Sequence, residues 1–90
     1  MLEIVWDQGF KKTIRKWSKR YPEYTEILER QLETFVKEPF HASLKTHALT
    51  GTLKECWSFR ITYDHRLIFR FNEDRSKAIL VDIGKHDDVY

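Results

Sequence analysis

The chain is short of several things at once. It has one cysteine, two prolines, three glycines and one methionine in 90 residues, and nowhere do 18 apolar residues run together. A lone Cys56 excludes an internal disulfide and a cysteine-built metal site within one chain, and it favours a reducing compartment. Met1 opens neither a basic-then-apolar leader nor a membrane span, so the expectation is a cytoplasmic protein with no membrane partner. The scarcity of glycine and proline leaves no linker, repeat or low-complexity stretch, and 90 residues hold one domain, 1–90. A Gly-rich phosphate loop, His-Glu-x-x-His and Cys-x-x-Cys are all missing, which removes P-loop hydrolysis and zinc catalysis from consideration. His41, His47, His65 and His86 lack ligand spacing, so neither a metal nor a cofactor is expected.

What the chain has is aromatic residues and arginines arranged by parity. Residues 57–71 read Trp-Ser-Phe-Arg-Ile-Thr-Tyr-Asp-His-Arg-Leu-Ile-Phe-Arg-Phe, two alternating stretches joined by a tight turn. Period-two alternation predicts a hairpin with Trp57, Phe59, Ile61, Tyr63, Leu67, Phe69 and Phe71 on one face. Arg60, Arg66 and Arg70 fall on the other, where three guanidinium groups suit water or an anion but not a core.

Before the hairpin, residues 2–6 suit a first strand, and Asp7 is placed to cap a helix. Phe10, Ile14, Trp17 and Tyr21 then recur at helical spacing up to Pro22. The remaining faces of this helix carry Lys11, Lys12, Arg15, Lys16, Lys19 and Arg20, so a net charge of only +2 conceals a positive patch, a candidate nucleic-acid surface. Pro22 suits the first turn of a second helix, with Tyr24, Ile27, Leu28, Leu32 and Phe35 as its apolar stripe and Glu26–Arg30 and Glu33–Lys37 as outward i,i+4 pairs. Residues 40–56 have no sustained period and read as a loop or short irregular strand. A polar turn over residues 72–76 precedes a last strand, 77–83, whose parity puts Ile79, Val81 and Ile83 on the aromatic face and Asp82 on the arginine face. His86 joins Asp82 if the extended chain continues. The expected fold is α+β: two N-terminal antiparallel helices packed on one face of a small, mainly antiparallel sheet, in the order β-α-α-β-β-β, with the other face open.

On that open face the residue types suit cleavage of RNA by its own 2′-hydroxyl. A base takes the 2′ proton, cations stabilise the dianionic phosphorane and an acid protonates the leaving 5′ oxygen, roles that His and Arg fill at neutral pH. Guanidinium forks match phosphate oxygens. Other anion-binding modules share these residue types, and Arg66 paired across strands with Asp82 is an alternative use of the same side chain.

The pattern Leu44-Lys45-x-His47-x-Leu49-x-Gly51, followed by Trp57-Ser58-x-Arg60-Ile61-Thr62-x-x-His65-Arg66-Leu67-Ile68-Phe69, resembles the RelE/YoeB superfamily of bacterial toxins. The ending Ile83-Gly84-x-His86-Asp87-x-Val89-Tyr90 is similar to its YafQ and RelE/StbE branches. The resemblance covers nearly the whole chain. It implies the toxin half of a type II toxin–antitoxin pair, an endoribonuclease that cuts mRNA in the ribosomal A site, contacts ribosomal RNA and is neutralised by a cognate antitoxin protein.

By the same resemblance, Arg66 contacts the scissile phosphate, Arg60 is a second phosphate-stabilising arginine, and His86 and His47 are the catalytic histidines. Lys45, Tyr90 and Asp64 are substrate contacts, and Arg70 is a charged contact at the rim. His65 stands where the YafQ branch has an aromatic, and a turn role suits it. The loop glutamate that serves the YoeB branch as general base has no counterpart around residues 42–44, and His86 and Tyr90 are separated where many members have them adjacent. Which histidine is base and which acid is therefore open. A gyrase-inhibiting toxin of the ParE type, or a weakened protein-binding relative, is the alternative function.

Overall fold

Asp7 separates the first strand from the first helix. Its backbone is extended and its carboxylate accepts the Phe10 N–H at 2.7 Å, satisfying a donor that a helix start otherwise leaves bare. The computed structural model describes the backbone of residues 1–90 and every side chain except that of Asp88. From the Asp7 cap, α1 (Gln8–Arg20) runs 13 residues and buries Phe10 and Trp17. Pro22 opens a separate 3-10 turn, Pro22–Tyr24, rather than the first turn of α2 (Thr25–Lys37), which buries Leu28 and Phe35. The outward pairs Glu26–Arg30 and Glu33–Lys37 are not closed. The ion pairs among the described residues are Lys77–Glu3 and His86–Asp87, and exposed pairs gain too little to hold two long side chains together. No helix among the described residues is long and apolar enough to cross a membrane.

Five strands form one sheet in the order β1-β5-β4-β3-β2: β1 (Glu3–Val5), β2 (His47–Ala48), β3 (Trp57–Arg60), β4 (His65–Phe71) and β5 (Lys77–Lys85). Only β1 lies parallel, against the start of β5; the other pairings are antiparallel. The two helices bury their apolar stripes against one sheet face. Phe35 sits with its ring centroid 4.7 Å from those of both Phe59 and Phe69, among Phe10, Trp17, Leu28, Leu44, Ile61, Leu67, Ala78, Leu80 and Ile83. The α+β architecture expected from the sequence is thus present, with β2 and a C-terminal helical turn, α3 (His86–Val89), in addition.

Parity holds in the hairpin and breaks in β5. Leu67 pairs with Ile83 and Ile68 with Asp82, but Phe69 pairs with Leu80, so Val81 is an extra residue and the register shifts. Asp82 therefore faces away from the core as expected, whereas Ala78 and Leu80, not Ile79 and Val81, enter it. Tyr63 also leaves the aromatic face: β3 ends at Arg60, and Tyr63 stands in the hairpin turn, 80% exposed. The opposite face is not open along its length, because Ser58 and Ile68 on it are buried, at 0% and 1% exposure.

The turn between β4 and β5 is held by side chains. Asn72 accepts the Lys77 N–H, Asp74 accepts both the hydroxyl and the N–H of Ser76, and Arg75, at φ 60°, lays its guanidinium over Trp57 and Phe71. The Ser76 hydroxyl, more than any other contact, holds the Asp74 carboxyl below its ordinary value of 3.8. Its contribution to stability is complete above that value and is lost as the pH falls through the lowered folded-state value. Replacing Asp74 by Ala is accordingly expected to lower the thermal midpoint at neutral pH, with the gap from wild type shrinking as the buffer is taken below 3.8.

His65 opens β4 as a core residue, not as a turn residue. It is 1% exposed and boxed by the rings of Trp17, Tyr21 and Tyr24, and the Trp17 indole N–H donates to its Nδ1 at 3.0 Å. An indole N–H only donates, so Nδ1 carries no proton in this arrangement. His65→Leu keeps the volume but deprives the buried indole of its acceptor, a loss of about 1–3 kcal/mol. The expected fall in thermal midpoint is roughly 5–20 °C for a domain of this size, read by circular dichroism, with His65→Gln falling less because it restores an acceptor.

Candidate active site

Register alone places the polar residues of the second face in two rows. His47 faces Ser58, Ser58 faces Ile68 and Ile68 faces Asp82 across four strands; one step along, Arg60 faces Arg66 and Arg66 faces Gly84. Arg66 therefore has a glycine, not Asp82, as its partner on β5, and Asp82 turns its Oδ1 to the N–H of Ile83 at 2.8 Å. The cross-strand ion pair read as an alternative for Arg66 does not form. Neither ion pair among the described residues contains an arginine, so Arg60 and Arg66, opposed in register, have no carboxylate partner among those residues.

Both arginines are held from behind. Arg66 donates one Nη1 bond to the Thr62 carbonyl at 3.0 Å, with a longer contact to the His65 carbonyl at 3.5 Å, which leaves donors of its fork for a ligand. Arg60 has its guanidinium 5.8 Å from the centroid of the Tyr63 ring, and its carbonyl accepts from the Gln31 side chain at 2.8 Å, tying α2 to the end of β3. A cleft of about 320 Å³ opens beside them, lined by Tyr63, Asp64, Arg66, His86 and Asp87.

The chain reaches this cleft a second time at its C-terminal end. His86 begins α3 instead of continuing the strand; its N–H donates to the Asp64 carbonyl at 2.8 Å, which fastens the helical turn to the hairpin turn. Its ring meets that of Tyr90 edge-on at 4.2 Å between centroids, and its Nδ1 lies 3.5 Å from the Asp87 carboxylate. Tyr90 crosses the face and donates its phenol to the Ser58 hydroxyl. Ser58 in turn lies 3.5 Å from Nε2 of His47, whose Nδ1 donates to the Lys45 carbonyl at 2.9 Å. Lys45 adopts φ 52°, the left-handed cap of a 3-10 turn, and so positions His47 through its backbone while its own side chain is exposed.

Of the residues singled out in the sequence, Arg60, Arg66, Asp64, His86, Tyr90 and His47 come together, with Lys45 beside His47. Arg70 lies on the same face opposite Ile79, exposed, and separated from the arginine pair by the Ile68 row. On α1, Lys11, Lys12, Arg15, Lys16 and Lys19 are all exposed. Lys12, Arg15, Lys16 and Lys19 line one hollow, and Lys16 recurs with Arg20, Lys85, Asp82 and Val89 in a second, so the basic flank of α1 continues to the edge of β5 and to α3. Two residues join the site that sequence patterns do not single out. Ser58 falls on the arginine face by parity, but the residue that donates to its hydroxyl, Tyr90, is remote in sequence. Tyr63 falls on the core face by parity, although its place beside Asp64 in a polar turn is a signal for exposure.

Several solved structures share this fold. YafQ from E. coli superposes with a TM-score of 0.79 at 16% identity, over 100% of this chain and 99% of that one. A copper-bound mutant toxin from Helicobacter pylori gives 0.78 at 25% identity, over 100% of both chains. The YoeB–YefM complex from Staphylococcus aureus gives 0.71 at 15% identity, over 96% of this chain and 98% of that one. No curated protein matches the chain significantly by sequence. The family model described as the bacterial toxin of type II toxin–antitoxin systems, YafQ, matches residues 2–90, nearly the whole length over which the site residues are spread. The chain therefore belongs to the YafQ family of type II toxin–antitoxin toxins.

Proposed function

We propose that this toxin is a ribosome-dependent mRNA endonuclease that cleaves by 2′-hydroxyl attack without a metal. The observation that carries the reading is the opposed pair Arg60–Arg66, free of any carboxylate partner among the described residues and set beside His86, Tyr90 and His47. Like charges facing each other across strands repel, and a bound phosphate removes that repulsion. In the reaction the 2′ oxygen bonds to phosphorus and the bond to the 5′ oxygen breaks. The 2′ proton passes to a base, and an acid returns one to the leaving oxygen. His47 and His86 are the proton-exchanging groups, while Arg66 and Arg60 stabilise the doubly charged phosphorane. Asp64, Lys45 and Tyr90 hold the substrate around the cleft, and Arg70 contacts it from the rim.

The basic flank of α1, with Lys11, Lys12, Arg15, Lys16 and Lys19, is assigned to ribosomal RNA, an electrostatic interaction that needs no base recognition. The partner that silences the toxin is a cognate antitoxin protein, in keeping with the antitoxin-bound neighbour from Staphylococcus aureus, and the compartment is the cytoplasm.

In a reconstituted translation system with programmed mRNA, the toxin is expected to cut in the ribosomal A site and to leave 2′,3′-cyclic phosphate ends. Arg66→Ala is expected to slow cleavage by about 10²–10³-fold, the usual cost of losing one oxyanion donor. Absence of A-site cuts, together with inhibited supercoiling by gyrase, would instead select the ParE-like activity. Neutralising Lys12, Lys16 and Lys19 together is expected to weaken ribosome binding and to reduce the slope of log affinity against log salt by about 0.7–0.9 for each phosphate that a lysine had neutralised. An unchanged slope would remove α1 from the RNA interface.

A further inference from the structure

Ser58 is the only buried polar side chain on the site face among the described residues, and neither the family match nor the chemistry proposed above gives it a task. It is fully buried between Trp57 and Phe59, yet its hydroxyl is used twice, by groups on opposite sides of the site. Tyr90 Oη donates to Ser58 Oγ across 32 residues of sequence, and His47 Nε2 lies 3.5 Å away from the same oxygen. Directionality follows from the ends. Nδ1 of His47 donates to a carbonyl, which can only accept, so in the neutral ring Nε2 is an acceptor and the Ser58 O–H points to it. The chain then runs Tyr90 O–H to Ser58 O–H to His47 Nε2, with the single Ser58 proton committed to the histidine.

The segment this chain tethers cannot order itself. α3 has four residues, far below the length at which a helix persists alone. Its start is fixed by one backbone bond, His86 N–H to Asp64 C=O, and its end is fixed by Tyr90 on Ser58. With both tethers in place, the edge-on contact of the His86 and Tyr90 rings sets the imidazole at the cleft that Arg66 lines.

We propose that Ser58 is a positioning residue: its buried hydroxyl seats Tyr90 and His47 in one hydrogen-bonded chain and thereby docks the C-terminal turn, with His86, against the arginine pair. Its consequence for catalysis rests on the nuclease reading above; its consequence for the docked segment does not. The experiment compares the full-length wild type, Ser58→Ala, Tyr90→Phe and the double variant. Backbone 15N relaxation is expected to give order parameters over residues 86–90 near the rigid value of about 0.85 in wild type and below about 0.6 in each single variant, with β3 and β4 unchanged. In cleavage of ribosome-bound mRNA Ser58→Ala is expected to lose about 10–100-fold in kcat with KM within about twofold, the cost of a misplaced reacting group, and Tyr90→Phe is expected to show a kcat loss in the same range. The double variant is expected to lose no more than Ser58→Ala alone, because the Tyr90–Ser58 bond is already gone in that variant.

Residues 86–90 as rigid in Ser58→Ala as in wild type, or losses that multiply in the double variant, would overturn the proposal while leaving the nuclease reading intact. A wild type that cuts no RNA would overturn the nuclease reading and the catalytic arm with it, and the order parameters would then decide the docking role alone. Tyr90→Phe guards against misfolding of Ser58→Ala, since it removes the same hydrogen bond from a partly exposed side chain outside the core.

Discussion

Two arginines, Arg60 and Arg66, occupy directly opposed positions on β3 and β4, a place where like charges repel. The rest of the molecule is arranged so that this pair is tolerated. Gly84 on the next strand offers no competing side chain, the Thr62 carbonyl takes one Arg66 donor, and the Tyr63 ring lies against Arg60. Behind the pair, Phe59 and Leu67, each one residue away in a strand, are fully buried under α1 and α2. Burial of side chains of this size is worth about 1.5–3 kcal/mol each, more than the repulsion of two charges that keep part of their hydration. The aromatic core therefore holds the strands in a register that electrostatics alone disfavours.

The same logic explains why the two histidines come from the ends of the site and not from its floor. Ser58 and Ile68 fill the central row and are closed to water, so His47 can approach only from the edge strand β2 and His86 only from the turn after β5. Neither element is long enough to be rigid by itself. Both are tied to neighbouring turns by backbone carbonyls, Lys45 for His47 and Asp64 for His86. The two histidines are thus held differently, His47 through its ring Nδ1 and His86 through its backbone N–H, with the His86 ring left to the Tyr90 ring and the Asp87 carboxylate.

How much of this is legible in the sequence depends on whether a residue's neighbours are local. The hairpin is legible because alternation runs through both of its strands, broken only by Tyr63 in the turn and by the apolar Ile68 on the polar face, and Asp7 and the 72–76 turn announce themselves by residue type; Pro22 marks the break between the helices but opens a 3-10 turn of its own. Parity fails in β5 because the extra residue Val81 inserts between Leu80 and Asp82, and a bulge leaves no mark when every candidate on the run Ala-Ile-Leu-Val is apolar. Asp82 falls on the expected face because it lies on the near side of that bulge. His65 reads as a turn residue in sequence because its acceptor role depends on Trp17, 48 residues earlier. The hydrogen bond that Ser58 accepts comes from Tyr90, 32 residues later. Each of these is a pairing of distant segments, which no local pattern encodes.

Charge placement completes the connection between fold and the proposed activity. The net charge of +2 is too small to draw the protein to a polyanion, yet residues 8–20 hold six cations and no carboxylate. Amphipathicity forces this outcome: Phe10 and Trp17 must face the sheet, so the lysines and arginines of the same helix must face outward, and the packing of α1 beside β5 then decides where outward is. Lys16 and Arg20 share a hollow with Lys85, Asp82 and Val89, at the margin of the arginine face. At physiological ionic strength exposed charges act over only about 8 Å, so a basic surface guides a nucleic acid into the cleft only if it is continuous with it. Rotating α1 by a third of a turn would keep the same composition and the same net charge and would lose that continuity; the apolar stripe that fixes the helix's rotation is therefore also what aims its charge.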